Sequence, residues 1–556
     1  MARQSARGQG NLENYAVFSF DRGLDVKTSP LKRAVLARQD ALVKAKNGVL
    51  STAGAVSKRL DAALKTVTML GAINTVPHVL TGGLGGFTAL SDTRFLATRG
   101  FVPTGHEAAI TGGIEFVKSD GTRQVIFGAT DGIVYKLNPD GTTTAIDTGH
   151  TTGTKWYFEQ YNDKLIICNR ADVPRKWDGA TMSNLGGSPP AKGGPVRAHG
   201  NRIFFLDGTN KSRLTWSALD NEEDYTTTNN AGSVVLGNND GSDLVDLVPS
   251  INELVLLKGS RPYRLQGTSP ATFTITNVVP STGSVGAVAS RAAAFALNDV
   301  WYLSSPGVVR LTAVLGFGDL RASFPSSSIQ PYFDPNTEFS LSLLHLDEAV
   351  MVYDAQSNRL YIGVDSDGDA KNDTMLVYDL TTQGWTTWEG LSIASLWPVR
   401  NALTGQTDIY MGGYDGRIRA LNQATHTEAV DFEVRHLTAL GAPGVEKSLR
   451  HVFLYFRQEG NVTVTVDFKF DFESNPSQTF TVSLLGGAKT LGVNWVLGVD
   501  PLGLRSQVVK RLDVHGGGEF VEIGVRNTEA GQPVTWYGYE ALYRVKRLVR
   551  RGTQVA

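Results

Sequence analysis

The sequence predicts a mainly β protein: a seven-bladed β-propeller-like ring with an N-terminal helical/extended arm and a C-terminal β-sandwich. Three observations point there. Glycine is abundant, 60 of 556 residues, which suits short strands joined by tight turns. A turn-centred unit recurs through the middle of the chain. Past residue 428 the pattern changes to longer strands with strict alternation.

Residues 1–70 read as a basic arm. Ser29 can cap a helix with Pro30 at its first position, and Leu31, Val35, Leu36, Ala41 and Leu42 fall on one side. Gly48 would end that helix. A second run, with Lys58, Arg59, Leu60 and Leu64, reads as helix or strand. The segment is too small for a domain and must pack on the body or on a partner.

Residues 71–428 hold the repeat. It is clearest in "GATDGIVYKLN" (128–138) and "GGYDGRIRALN" (412–422). Asp-Gly between apolar runs signals a hairpin, because glycine takes positive φ at no steric cost. Turn centres fall near 131, 172, 209, 260, 306, 368 and 415, about 47 residues apart on average. That spacing fits one four-stranded sheet per unit. Tyr135, Trp177, Trp216, Tyr263, Trp301, Trp385 and Trp388 lie next to the turns and are expected to fill space between blades.

Residues 429–545 carry "HVFLYFRQEG" (451–460), "NVTVTVDFKFDF" (461–472), "EFVEIGVRN" (519–527) and "VTWYGYEALYRV" (534–545). One apolar and one polar face implies half-buried antiparallel sheets, hence a sandwich. Residues 546–556 form a basic tail. Charge is uneven: 12 Lys/Arg against 5 Asp/Glu give +7 over residues 1–65, and residues 544–556 add +5. With a total of −1, the remainder carries −13.

Chemistry is sparse. There is no Walker-type phosphate loop, no His-Glu-x-x-His and no Gly-x-Ser-x-Gly, and the expectation is that the protein is not an enzyme. The single cysteine, Cys168, allows no internal disulfide. No apolar stretch is long enough to span a membrane, and the N-terminus lacks a signal core. Synthesis in a reducing cytoplasm is expected. One constellation has metal-ligand spacing: in "DSDGDAKND", Asp365, Asp367, Asp369 and Asp373 stand at positions 1, 3, 5 and 9 of a calcium-loop pattern. It departs at Ala370, where Gly normally makes the sharp turn, and at Leu376, where an EF-hand has Glu. The plainer reading is a solvated acidic hairpin tip. No other cofactor is expected.

The stretch "RGLDVKTSPL" (22–31), followed by Asn47 and "GAVSKRLD" (54–61), resembles the N-terminal signature of the tail nozzle or hub proteins of short-tailed bacteriophages, also called phage stabilisation proteins. The matched positions are Gly23, Leu24, Lys27, Ser29, Pro30, Asn47, Gly54, Lys58 and Arg59, with Arg22 beside them; Leu60 stands where the family usually has Pro or Gly. The resemblance implies a virion structural protein. It would form a homo-oligomeric ring, typically a hexamer, below the portal and head–tail adaptor, carry tail fibres or spikes, and surround translocating double-stranded DNA without reading its sequence. On that basis Arg22, Gly23, Leu24, Lys27, Pro30, Lys58 and Arg59 are the expected assembly arm. The acidic body would let DNA slide by like-charge repulsion. Two other readings remain: a receptor- or glycan-binding tail propeller, and a propeller glycan hydrolase or lyase.

Overall fold

The computed structural model describes residues 13–17, 20, 24, 27, 42, 44–50, 55–58 and 63–64 of the N-terminal segment. It describes 108–484 apart from short breaks (139–141, 238–239, 279–284, 315–318, 338–339, 402–404, 422–430, 441–443 and 458–461), and 507–548 apart from 530–531. The chain is mainly β and divides into two compact units. One comprises 1–61, 377–389 and 424–556; the other comprises 62–376 and 390–423.

The second unit is a succession of small antiparallel sheets. Sheet I is Ile110–Val117, Arg123–Ala129, Val134–Leu137 and Thr143–Asp147. Sheet II is Tyr157–Tyr161, Lys164–Cys168, Arg175–Trp177 and Met182–Asn184. Sheet III is Gly193–His199, Arg202–Asp207, Arg213–Trp216 and Gly232–Val235. Sheet IV is Leu244–Pro249, Glu253–Lys258, Pro262–Gln266 and Thr274–Asn277, and sheet V is Ala293–Ala296, Asp299–Ser304, Gly307–Val314 and Asp319–Ser323. Sheet VI opens with Val350–Asp354 and Arg359–Val364, and Thr374–Asp379 carries the chain into the other unit. Sheet VII is Ser395–Arg400, Thr407–Gly412 and Ile418–Ala420, completed by Ala63–Leu64. In that last pairing Leu64 lies opposite Arg419 and Ala63 opposite Ala420.

The opening strand of each sheet packs beside that of the next, from I to VII, and that of VII packs beside that of I. Apolar clusters fill the gaps between consecutive sheets. Phe116, Ile126, Trp156 and Leu165 sit between I and II, and Ile110, Phe127, Trp397 and Ile418 between VII and I. Sheet I takes its large neighbours at glycine. A Cβ on Gly128 would stand 2.4 Å from the Trp156 ring, and one on Gly113 would stand 2.5 Å from that of Trp397.

Each turn foreseen from the sequence joins the second and third strands of its sheet. The two best-matched turns also share chemistry. Gly132 and Gly416 take φ of 79° and 71°. The preceding Asp131 accepts from the Ile133 amide at 3.0 Å, and Asp415 from that of Arg417 at 3.3 Å. Four residues past each Asp, a side chain returns to it: Tyr135 Oη donates to Asp131 at 2.7 Å, and Arg419 holds Asp415 with two bonds of 3.0 and 2.5 Å.

The first unit has two runs of paired strands. In one, Gly48–Leu50, Val56–Lys58, Thr535–Leu548, Val445–Arg457 and Gln507–Gly518 lie in that order, with Glu13–Val17 also paired to Thr535–Leu548. In the other, Gly384–Trp388 is followed by Lys44–Lys46, Phe432–Thr438, Val521–Asn527, Thr463–Phe470 and Gln478–Ser483. His436 Nδ1 and Tyr539 Oη, from different runs, meet at 2.9 Å in a buried cluster with Phe20 and Trp536.

The helix expected from Ser29 to Asn47 is corrected where it can be seen. Residues 29–41 lie outside the described residues, but 44–50 are strands, and Gly48 begins one instead of ending a helix. Lys44–Lys46 pairs antiparallel with Phe432–Thr438 and parallel with Gly384–Trp388, so ladder hydrogen bonds on both edges override a helical period. In Thr463–Phe470, Val464, Val466, Phe468 and Phe470 are buried as the alternation requires. Asp467, on the face expected to be polar, is wholly buried too, because Arg435 covers it at 2.8 Å.

Candidate functional site

Three places bear on function: the N-terminal segment, the acidic loop of sheet VI, and the middle of the sheet cycle. Of the expected arm residues, Arg22, Gly23, Pro30 and Arg59 lie outside the described residues, and Lys27 is exposed. Leu24 and Lys58 are buried. The Leu24 amide donates to Trp385 O at 3.0 Å, and Leu24 bridges Leu42. Lys58 Nζ donates to Asn527 Oδ1 at 2.7 Å and to Glu529 O at 3.0 Å. Asn47 sits at φ 52°, a left-handed conformation that Asn tolerates well. It donates through Nδ2 to Asp431 O at 2.5 Å and accepts from the Glu389 amide at 2.9 Å.

The basic side chains nearby are matched within the same unit. Lys46 pairs with Glu389 at 2.7 Å and Asp431 at 3.0 Å, and Lys44 with Glu433 at 2.6 Å. Burial alone would lower the Lys46 pKa, but these two carboxylates outweigh it and raise the value. Burial likewise pushes Glu433 up, and Lys44 with Arg435 overcomes that and holds it low.

In the acidic loop, carboxylate oxygens of Asp365, Asp367 and Asp369 lie within 4.8 Å of one another. Asp373 is not in that group and accepts instead from the Ser366 amide and hydroxyl. Asp365 is buried and already accepts from the amides of Asp367 (3.1 Å), Gly368 (2.8 Å) and Ala370 (3.0 Å). Ala370 has φ 65°, so it adopts the turn that calcium loops give to glycine. Among the described residues this is the one group of carboxylates, imidazoles or thiols with metal-holding geometry. Cys168 is buried, and burial pushes its thiol pKa up, away from reactivity.

The middle of the sheet cycle is polar and was not foreseen. Arg291 precedes sheet V, and its Nη1 donates to Thr111 O in sheet I and, at 2.9 Å, to Ala394 O just before sheet VII. Tyr157 Oη of sheet II meets Ser290 Oγ at 2.7 Å. Lys155 pairs with Glu348 at 2.9 Å. Sheets I and II are not neighbours of sheet V, so the contacts of Arg291 with Thr111 and of Ser290 with Tyr157 cross the cycle. Asp246 belongs to this region. A register shift between Leu244 and Asp246 marks a bulge in the opening strand of sheet IV, and such bulges re-aim side chains. Its one sequence signal is an acid inside the apolar run "LVDLVP".

No family model matches the chain, and no curated protein matches it. Solved structures do. PorZ, a bacterial surface component of the type-IX secretion system of Porphyromonas gingivalis, aligns with 57% of this chain at 12% identity and TM-score 0.35; the alignment spans 37% of PorZ, little more than a third. BamB from Moraxella catarrhalis aligns over 56% of this chain and 82% of its own, with 12% identity and TM-score 0.35. YCF48 from Cyanidioschyzon merolae gives 57%, 96%, 12% and 0.36. No substrate or partner is carried over from them.

Proposed function

We propose that the protein is a bacteriophage virion structural protein, a tail nozzle or hub subunit. It acts as one copy in a homo-oligomeric ring, a hexamer by family resemblance, around the DNA-exit channel. The second unit is read as a seven-bladed propeller, supported by the cyclic packing of opening strands and by Ala63–Leu64 completing sheet VII. The first unit is read as a sandwich, supported by the contact of His436 with Tyr539.

The observation that carries the reading is the placement of the N-terminal signature. Leu24, Asn47 and Lys58, matched from sequence alone, make the contacts that build the N-terminal segment into the unit with Trp385, Asp431 and Asn527. These contacts give the matched positions an architectural place, which supports the reading. In this reading the ring docks on the portal and adaptor, supports fibres or spikes, and lets DNA slide past an acidic surface. Its place is the virion tail, assembled in the host cytoplasm without catalysis. Among the described residues no helix is long and apolar enough to cross a membrane.

Mass photometry and negative-stain imaging of the purified chain test this. Closed rings of uniform copy number are expected. A monomer at every concentration that binds bacterial polysaccharide would favour the receptor- or glycan-binding propeller. Release of reducing ends from capsule or lipopolysaccharide would favour a hydrolase or lyase.

A further inference from the structure

A cavity of about 310 Å³ opens between sheets VI and VII, walled by side chains of the second unit. Asp354, Gln356 and Ser357 reach it from the first turn of sheet VI. Gln406, Thr407, Asp408 and Ile409 reach it from the start of the second strand of sheet VII, and Leu421 follows the third. The wall is sorted by depth. Asp354, Asp408, Ile409 and Leu421 are buried and form a floor, whereas Gln356, Gln406 and Thr407 are exposed and form a rim.

The floor is held in place by its own hydrogen bonds. Asp354 accepts from the Gln356 amide at 3.0 Å and from Ser357 Oγ at 2.6 Å, and Asp408 accepts from Asn401 Nδ2 at 3.0 Å. The Leu421 amide donates to Ile409 O at 2.8 Å, which sets the two aliphatic side chains beside each other. Two oriented carboxylates therefore share the floor with an apolar patch, and the rim adds carboxamides and a hydroxyl that both donate and accept. The volume stands at the small end of the ligand-site range, about 300–1,000 Å³, so the occupant is a single ring or a short chain. It must donate to the carboxylates, which only accept. A phosphate or carboxylate group would meet them with lone pairs, and among the described residues of the wall there is no lysine or arginine to hold an anion. An ammonium would answer the carboxylates but offers no acceptor to the rim. A sugar ring answers every part, with hydroxyls that donate and accept and a C–H face for Ile409 and Leu421.

We propose that this cavity is a monosaccharide site that takes one neutral hexopyranose. Its hydroxyls donate to Asp354 and Asp408 on the floor, and its C–H face lies on Ile409 and Leu421. Gln356, Gln406 and Thr407 close over the remaining hydroxyls. The site belongs to one chain, so it does not rest on ring formation: a ring and a monomer would bind the sugar alike.

Saturation-transfer NMR and calorimetry on the full chain test the assignment, with the methyl glycosides of glucose, galactose and mannose, methyl glucuronide and agmatine as probes. At least one neutral glycoside should bind saturably, one per chain, with a dissociation constant of about 1 mM, as a ligand of this size permits. The glucuronide should bind about tenfold or more weakly, because its carboxylate meets those of the floor. Asp354→Asn and Asp408→Asn should each weaken the sugar about tenfold, the loss of one hydrogen bond to a charged acceptor. Gln356→Ala alters only the exposed rim and should weaken it by a smaller factor. No saturable neutral glycoside, or tighter binding of glucuronide or agmatine than of every neutral sugar, overturns the proposal. Unchanged affinity in a folded Asp408→Asn chain overturns it too, by placing the sugar elsewhere. The probe comparison needs no variant, so it decides even if the floor substitutions prevent folding.

Discussion

Lys58 donates from Nζ to Asn527 Oδ1 at 2.7 Å across 469 residues of sequence, and both side chains are buried. Asn527 in turn donates to Thr463 O at 2.7 Å, so the lysine organises a strand end as well as its own segment. Lys58→Ala should cost roughly 1–3 kcal/mol in denaturant unfolding, because it strands polar partners in the interior. Unchanged stability would refute that role.

Deletion of residues 1–50 removes Glu13–Val17, Lys44–Lys46 and Gly48–Leu50, each paired inside the first unit. An arm that merely reached a neighbour would come off cleanly. Here bare edges of Thr535–Leu548 and Phe432–Thr438 should be left, and the product should aggregate. Size-exclusion chromatography reads the result, and a well-behaved soluble product would count against it.

Gly128→Ala puts a methyl 2.4 Å from Trp156, whose indole N–H is held by Ala129 O at 2.9 Å. The ring cannot withdraw without losing that bond. A loss of about 2–3 kcal/mol is expected, in the range for overpacked cores. Gly121→Ala, with nothing within 4 Å but φ 85°, separates backbone strain from crowding and should cost less.

The acidic loop separates into a frame and a candidate metal site. Asp365→Ala removes acceptors from three amides and should destabilise with or without calcium, by roughly 2–3 kcal/mol. Ala370→Gly should stabilise by about 0.5–1 kcal/mol, since φ 65° strains alanine. If Ca²⁺ joins Asp365, Asp367 and Asp369, millimolar calcium raises Tm and Asp367→Asn abolishes the rise. A Tm indifferent to calcium and EDTA alike excludes the metal.

Burial raises the Asp246 pKa to about 6, against the opposing pull of Arg197, the Leu247 amide, Arg170 and Arg291. The unfolded value is near 3.9. Between the two the folded chain holds a proton that the unfolded chain has lost, so stability falls as pH rises from about 4 to about 6. Above that window the deficit is constant. At pH 7, Asp246→Asn should be more stable by roughly 1–3 kcal/mol and should lack that part of the pH slope. Urea titrations across pH 4–7 measure both.

What could be read from the sequence was local. The turns at Asp131-Gly132 and Asp415-Gly416 carry their own instructions, because positive φ and an Asp-to-amide bond need only neighbouring residues. The strand at Lys44–Lys46 could not be read: its partner at Glu433 is 389 residues away, and alone its apolar spacing suits a helix. The middle of the cycle was hidden for the same reason. Arg170, Arg291 and Asp246 come from three separate sheets or their approaches, and no spacing rule links them. The calcium pattern was legible as spacing, but the turning of Asp373 to Ser366 was not.

Leu64 and Arg419, the partners that complete sheet VII, stand 355 positions apart (419 − 64). A ribosome releases the first long before it makes the second. The early strand cannot make this pairing until then, so completing sheet VII is a late event in the life of each nascent chain. Premature termination anywhere before Ile418 would therefore leave Ala63–Leu64 without the strand that it pairs with in sheet VII.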